Sequence, residues 1–276
     1  MTLAEKIILA LQFEIPRPAS YGPFHLICLA ISAVVLVLLV TRKHSDREKT
    51  LKTVLLVYGI GALVLEAIKQ IIWSYSFDPA AQTGTWDYQW YAFPFQLCTT
   101  PIFASLICAF LKESPLRRSL LSYMAFFTIL GSLATAVYPE SCFVRTALVD
   151  IHTMYLHLGS LVVSLWLLLT GQVKTTFRNL QRGFGVFLVF VLLAEALNLG
   201  LYHAGILGDE TFNMFYISPY FTSSLPVFDV IQQKVPFAVF LLLYLIAIFL
   251  GASLVWLIAR GVGRLTAGKK QVGAGV

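Results

Sequence analysis

Seven long apolar stretches, near 24–41, 54–75, 93–111, 119–138, 149–170, 183–203 and 236–259, constrain this chain more than any other feature. A helix rises about 1.5 Å per residue and a bilayer core is about 30 Å thick, so each stretch approaches the roughly 20 residues of one crossing. Only 12% of the 276 residues are charged and 58% are apolar, whereas a soluble domain carries about a quarter charged residues. A soluble fold cannot hide that much apolar surface. The expected fold class is therefore all-α, a polytopic membrane helix bundle of about seven transmembrane helices. It forms one domain over 1–264, followed by a glycine-rich flexible cytoplasmic tail at 265–276.

Two stretches open on polar or proline-containing sequence: 93–111 with Pro94, Gln96 and Cys98, and 149–170 with Asp150, His152 and His157. The N-terminal segment puts Leu3, Ile7, Ile8 and Leu11 on one face but carries Glu5 and Lys6 and is too short to span, so 1–15 reads as an interfacial helix.

Basic residues orient the bundle. Arg42, Lys43, Arg47, Lys49 and Lys52 follow the first stretch, Lys112, Arg117 and Arg118 the third, Lys174, Arg178 and Arg182 the fifth, and Arg260, Arg264, Lys269 and Lys270 the last. The other side has only Lys6, Arg17, Arg145 and Lys234, which predicts an outside N-terminus and a cytoplasmic C-terminus in a multi-pass protein of the cell membrane. The net charge of +6 follows from this asymmetry and gives no reason to expect nucleic acid as a partner; membrane lipid is the expected one. Aromatic residues crowd the opposite loops at 76–92 and 205–235, as an interfacial belt does. The cysteines, Cys28, Cys98, Cys108 and Cys142, form no CxxC pair and no disulfide framework is expected.

Charges in hydrocarbon cost at least about 2.5–3.5 kcal/mol on insertion scales, so each ionisable group within the stretches needs a partner or a cavity. These groups and their polar neighbours are few: Glu66 and Lys69; Gln96 and Cys98; His152 and His157; Glu195, Asn198 and His203. The orientation puts Glu66, Lys69, Glu195 and Asn198 in the last turns of outward-running helices and Cys98 and His157 in the first turns of inward-running ones. All then lie roughly 7–15 Å below the outer boundary, a single outer-side cluster. Bland readings accompany each. Glu66 and Lys69, three apart, can neutralise each other; Glu195 can bond Asn198; His152 and His203 can meet headgroups. Cys98 can be a small core residue, but a thiol at a helix N-terminus is favoured as thiolate and His157 at similar depth can take its proton.

The segment Phe93-Pro94-Phe95-Gln96-Leu97-Cys98 resembles the LPLHLC signature of the YwaF-like bacterial integral membrane family. Thr153-Met154-Tyr155-Leu156-His157 resembles its Thr-x-x-x-His, and Asn213-Met214-Phe215 its Asn-Tyr-Met-Phe segment. That family is related to a eukaryotic transmembrane acyltransferase that remodels ether phospholipids through a membrane cysteine, and more distantly to hydrolases of fatty acid esters of hydroxy fatty acids. The resemblance implies Cys98 as nucleophile, His157 as base and Asn213 as a supporting residue; Gln96 replaces the histidine of LPLHLC.

The expected function is thus a lipid acyltransferase or acyl-ester hydrolase with a Cys98–His157 pair near the outer leaflet. Gln96, Glu66, Lys69, His152, Glu195, Asn198 and Asn213 are expected to bind substrate or support the pair. The rival is a proton-coupled small-solute transporter or a non-catalytic lipid-binding protein, in which Glu66, Lys69, Glu195 and His157 would line a ligand cavity. No inverted repeat supports transport. No metal or organic cofactor is expected, since the histidines lack metal-ligand spacing and no glycine-rich phosphate motif occurs.

Overall fold

The computed structural model describes residues 1–42 and 45–272, with side chains through Arg264. Lys43, residues 273–276 and the side chains of Lys269 and Lys270, which enter the basic loops and the tail above, lie outside the described residues. The described helices are α1 (Leu3–Leu11), α2 (Pro23–Thr41), α3 (Arg47–Ser74), α4 (Thr100–Phe110), α5 (Pro115–Phe126), α6 (Thr128–Val137), α7 (Ala147–Leu169), α8 (Phe177–Ala204), α9 (Phe228–Lys234) and α10 (Phe237–Val272). Among the described residues six spans are long and apolar enough to cross a membrane: α2, α3, α5 with α6, α7, α8, and Phe237–Arg264 of α10. The protein is a helical membrane bundle. A hairpin of β1 (Tyr75–Asp78) and β2 (Thr83–Trp86), paired Tyr75 to Trp86, decorates the loop after α3.

The third apolar stretch departs from expectation. Its helix, α4, has 11 residues instead of filling 93–111, and so spans roughly 16 Å, about half a bilayer core. Pro94 has no N–H and holds Phe93 in extended backbone (φ −52°, ψ 135°). Helix resumes only where Pro101 falls in the first turn, a position that loses no hydrogen bond. The fourth stretch is one span broken at Phe127 (φ −99°, ψ −44°). Beside the break, Thr128 Oγ1 and Ser164 Oγ both donate to the Met124 carbonyl, at 2.8 and 2.7 Å. Hydroxyls inserted into the i→i−4 ladder are a recognised cause of such bends.

Local chemistry sets the helix starts. Asp46 caps α3 through the Lys49 N–H at 2.9 Å, Ser114 caps α5 ahead of Pro115, and Thr176 caps α8. α3 packs on α4 and α7, α5 on α8, and α7 also on α2 and α6. Small residues permit the closest approaches: a Cβ on Gly183 of α8 would lie 3.0 Å from the Ser122 backbone of α5. Large apolar side chains such as Ile31, Val34 and Val37 on α2 and Leu250 and Leu254 on α10 are exposed on the outside of the bundle, as suits a helix surrounded by lipid.

The helix termini meet in two groups. At the basic end, Arg117 is 1% exposed, donates to the Cys108 carbonyl at 2.9 Å and forks onto Glu48 at 2.6 and 3.0 Å. Arg47 bonds the Thr170 carbonyl at 2.9 Å and Trp256 the Thr175 carbonyl at 3.0 Å. At the opposite, aromatic end, Gln12 donates to the carbonyls of Ile72 and Tyr75, both at 2.6 Å, docking α1 onto the end of α3. α1 buries none of its own residues.

Candidate functional site

A cavity of about 810 Å³ opens at the aromatic end among the end of α3, the turn before α4, the first three turns of α7 and the loops at 139–146 and 205–227. Its polar lining includes Lys69, Gln96, Cys98, His152, Thr153, His157 and Asn213. Residues from three separate apolar stretches and from two loops therefore share one space. Trp73, Phe93, Leu156 and Phe221 give it apolar walls.

Cys98 was expected in the first turn of a helix. It lies instead in a turn just before Thr99, the N-cap of α4, because the stretch stays non-helical through residue 99. This turn is closed on itself: Thr99 Oγ1 accepts from the Gln96 N–H at 2.7 Å and donates to the Gln96 carbonyl at 3.1 Å, and the Thr99 and Thr100 N–H groups bond the same carbonyl at 3.0 Å. The thiol is thereby carried on a short, pinned backbone with no disulfide partner.

The amide side chains of Gln96, Asn198 and Asn213 all bind backbone. Gln96 donates to the Asn213 carbonyl at 2.9 Å and accepts from the Phe215 N–H at 2.7 Å. Asn198, fully buried, accepts from the Met214 N–H at 2.8 Å and donates to its carbonyl at 3.1 Å. Asn213 donates to the carbonyls of Phe221 and Thr222 at 3.1 Å and accepts from the Ser218 N–H at 2.8 Å. Together they clamp a turn in which two successive non-glycine residues, Phe215 (φ 58°) and Tyr216 (φ 60°), adopt left-handed backbone. Left-handed backbone costs roughly 1–2 kcal/mol per residue and persists only where its surroundings over-determine it. The product of the clamp is Tyr216, held at the cavity wall. Glu195 reaches no farther than Asn198, at 3.3 Å, and neither lines the cavity. His203, beyond the site, bonds the Tyr220 hydroxyl at 2.8 Å.

Ser141, Cys142 and Val144 also enter the cavity, from the 139–146 loop, which no hydropathy or charge signal marks as part of it. The N-terminal arm holds this loop: Arg17 donates to the Glu140 carbonyl at 2.6 Å, and the Ile15 N–H bonds the Arg145 carbonyl at 2.8 Å. Asp150 accepts from the Val144 N–H at 2.9 Å. Phe143, 2% exposed, packs edge-on against Phe24 at 5.8 Å and His25 at 6.1 Å.

Glu66 is 3% exposed and Lys69 is 8% exposed, and they pair at 2.6 Å through Oε1. Gln70 also donates to Oε1, at 2.7 Å, and Gln70 and Lys69 both reach the Ala92 carbonyl, at 2.6 and 3.3 Å. The other oxygen, Oε2, lies 2.8 Å from His152 Nε2, at ion-pair distance but off the line of the ring N–H. His152 is not at a headgroup, as one reading had it; it is 4% exposed, and its Nδ1 has no hydrogen-bond partner among the described residues. His157, half-buried on the same helix, likewise has an unpartnered Nδ1. Tyr91, which also lines the cavity, has its phenol pushed above the ordinary value by burial and then by the Glu210 carboxylate. Among the described residues no group of three His, Cys, Asp or Glu side chains is arranged to hold a metal ion.

The sequence profile of the TMEM164 family matches residues 20–258, from before α2 into α10. The chain belongs to the TMEM164 family. No curated protein sequence and no solved structure matches it. The TMEM164 match takes in the cavity and the 139–146 loop but leaves out α1 and the arm residues Ile15 and Arg17.

Proposed function

We propose that this TMEM164-family protein is a membrane enzyme of lipid acyl chemistry, using Cys98 as nucleophile and His157 as base in a cavity that opens to the outer leaflet. The observation that carries the reading is the shared cavity: a thiol on a pinned turn and a histidine with a free ring nitrogen line one space of about 810 Å³ with both polar and apolar walls. Such a space suits a lipid ester, whose carbonyl needs polar surroundings and whose chain needs apolar ones.

The chemistry runs in two halves. His157 takes the Cys98 proton, and the thiolate attacks the ester carbonyl carbon. The tetrahedral intermediate collapses to a thioester as the lipid alkoxide leaves with the proton from His157. A second hydroxyl, from another lipid or from water, then attacks the thioester carbon and restores the thiol. The hydroxyls of Tyr216 and Thr153, which line the cavity, supply donors for the oxyanion formed in each half. Gln96, Asn198 and Asn213 support the site through backbone, Glu195 supports Asn198, and Lys69 supports Glu66. The outer-leaflet placement rests on the basic residues at the opposite end of the bundle.

The test is transfer of a labelled acyl chain from a phospholipid, with protein reconstituted in vesicles. Label should move to another lipid or to water in the wild-type protein and stay in place in Cys98→Ala and His157→Gln. Full activity of Cys98→Ala would overturn the assignment, and solute uptake without acyl movement would favour a transporter.

A further inference from the structure

Acyl transfer through a thioester needs two deprotonations, one of the thiol and one of the incoming hydroxyl, and the cavity holds two histidines in different settings. Among the described residues His157 has no carboxylate within ion-pair distance, whereas His152 stands 2.8 Å from Glu66 Oε2. The carboxylate is itself fixed, because Lys69 and Gln70 both occupy Oε1 and leave Oε2 for the histidine. A buried carboxylate at ion-pair distance from one ring nitrogen stabilises the imidazolium that forms when the other nitrogen takes a proton. Neither ring nitrogen has a hydrogen bond, but Nε2 is the one beside the carboxylate, which leaves Nδ1 of this side chain, 4% exposed and lining the cavity, to take the proton.

We infer that His152, positioned by Glu66, is the base of the second half-reaction: its Nδ1 accepts the proton of the incoming lipid hydroxyl or water as that oxygen attacks the Cys98 thioester. This rests on the thioester reading above. The balance is complete within the cavity. The acceptor O–H bond breaks, a C–O bond forms at the acyl carbon, and the C–S bond breaks. The thiolate leaves on Cys98 and takes back the proton from His152, so no oxidant, reductant or further reactant is needed. The division of labour explains why both histidines face one cavity while only one has a carboxylate: the acceptor hydroxyl is a weaker acid than a thiol and demands the stronger base. Glu66 is a positioning residue in this scheme, and Lys69 holds Glu66 against the cost of its burial.

The deciding experiment separates thioester formation from release. Wild-type and variant proteins in vesicles receive a labelled phospholipid, and thioester on Cys98 and released product are followed over one turnover. His152→Gln, which leaves the Glu66–Lys69 pair intact, should form thioester at the wild-type rate and release it about 100-fold more slowly, a typical loss for one proton-transfer group. His157→Gln should form none. Glu66→Gln combined with Lys69→Met, which avoids an unpaired buried lysine, should slow release about 10-fold without slowing thioester formation, with Glu66→Asp restoring part of the rate. Release at the wild-type rate in His152→Gln overturns the inference while the thioester stands. So does loss of thioester formation in a His152→Gln protein whose melting midpoint is unchanged. Absence of thioester from the wild-type protein overturns instead the reading on which the inference rests.

Discussion

Glu66 and His152, on α3 and α7, meet 2.8 Å apart at the wall of the cavity, and both are almost fully buried. A charged group in a low-dielectric site persists only when its partners are fixed. Lys69 and Gln70 on the same helix supply that fixation, tying the carboxylate to the Ala92 carbonyl as well. The electrostatics of the cavity are thus set by one helix and presented to a histidine on another.

Breaking this network from the acidic side should be costly. Glu66→Gln leaves the Lys69 ammonium buried without its counter-charge and should destabilise the protein by about 3–5 kcal/mol, whereas the double change with Lys69→Met should recover most of that loss. Denaturant titration in detergent of the single and double variants measures both. Equal losses in the two would contradict the pairing.

Asn198 should matter to the loop and not to the chemistry directly. Asn198→Ala removes both bonds to the buried Met214 backbone and should cost about 1–3 kcal/mol for each group left unpartnered. The 205–227 segment should become sensitive to limited proteolysis, with cleavage mapped by mass spectrometry. Resistance equal to wild type would show that Gln96 and Asn213 hold the turn alone.

At the basic end the two members of one ion pair should differ. Glu48 is 65% exposed in its side chain, so Glu48→Gln should cost no more than about 1 kcal/mol after solvent screening. Arg117→Ala empties a buried site and strips the Cys108 carbonyl of its donor, and should cost about 3 kcal/mol or more. Comparable losses in thermal unfolding would contradict this asymmetry.

Helix contact through Gly183 leaves no room for a side chain. A Cβ there stands 3.0 Å from the Ser122 backbone, which cannot rotate away. Gly183→Val should destabilise by about 1–3 kcal/mol through overpacking of α8 on α5, read as a lower unfolding midpoint in detergent. Gly185 faces open space, so Gly185→Ala is the control expected to change little.

The 139–146 loop should guard Cys142. Phe143→Ala removes the ring that seats this loop against Phe24 and His25 and should speed labelling of Cys142 by a maleimide. With a membrane-impermeant maleimide on intact cells, labelling from outside tests the orientation read from the basic residues. Labelling only after permeabilisation would reverse it.

Much of this was legible in the sequence because hydropathy runs and charge asymmetry are one-dimensional signals. Six of the seven apolar stretches match helices long enough to span, and of the residues placed at a common depth Lys69, Cys98 and His157 line one cavity while Glu195 and Asn198 do not. The short α4 was less legible: residues 93–111 are as apolar as a spanning helix, and the clue lay in two prolines, Pro94 and Pro101, that bracket a non-helical turn. The roles of Gln96 and Asn198 depend on the backbone of residues 213–215, more than a hundred positions from Gln96. No periodicity reports a bond over that distance. Ser141 and Cys142 reach the cavity through an arm at Ile15 and Arg17, for the same reason invisible. Tyr216 carried a faint signal only, as an aromatic residue among others suited to a membrane interface.

The thioester is the point on which the functional reading stands. Intact-protein mass spectrometry after incubation with a phospholipid of a single acyl chain should show one added acyl mass, lost on treatment with neutral hydroxylamine and mapped by peptide analysis to Cys98. An unmodified protein, or an adduct on Cys142 with Cys98 free, would contradict it.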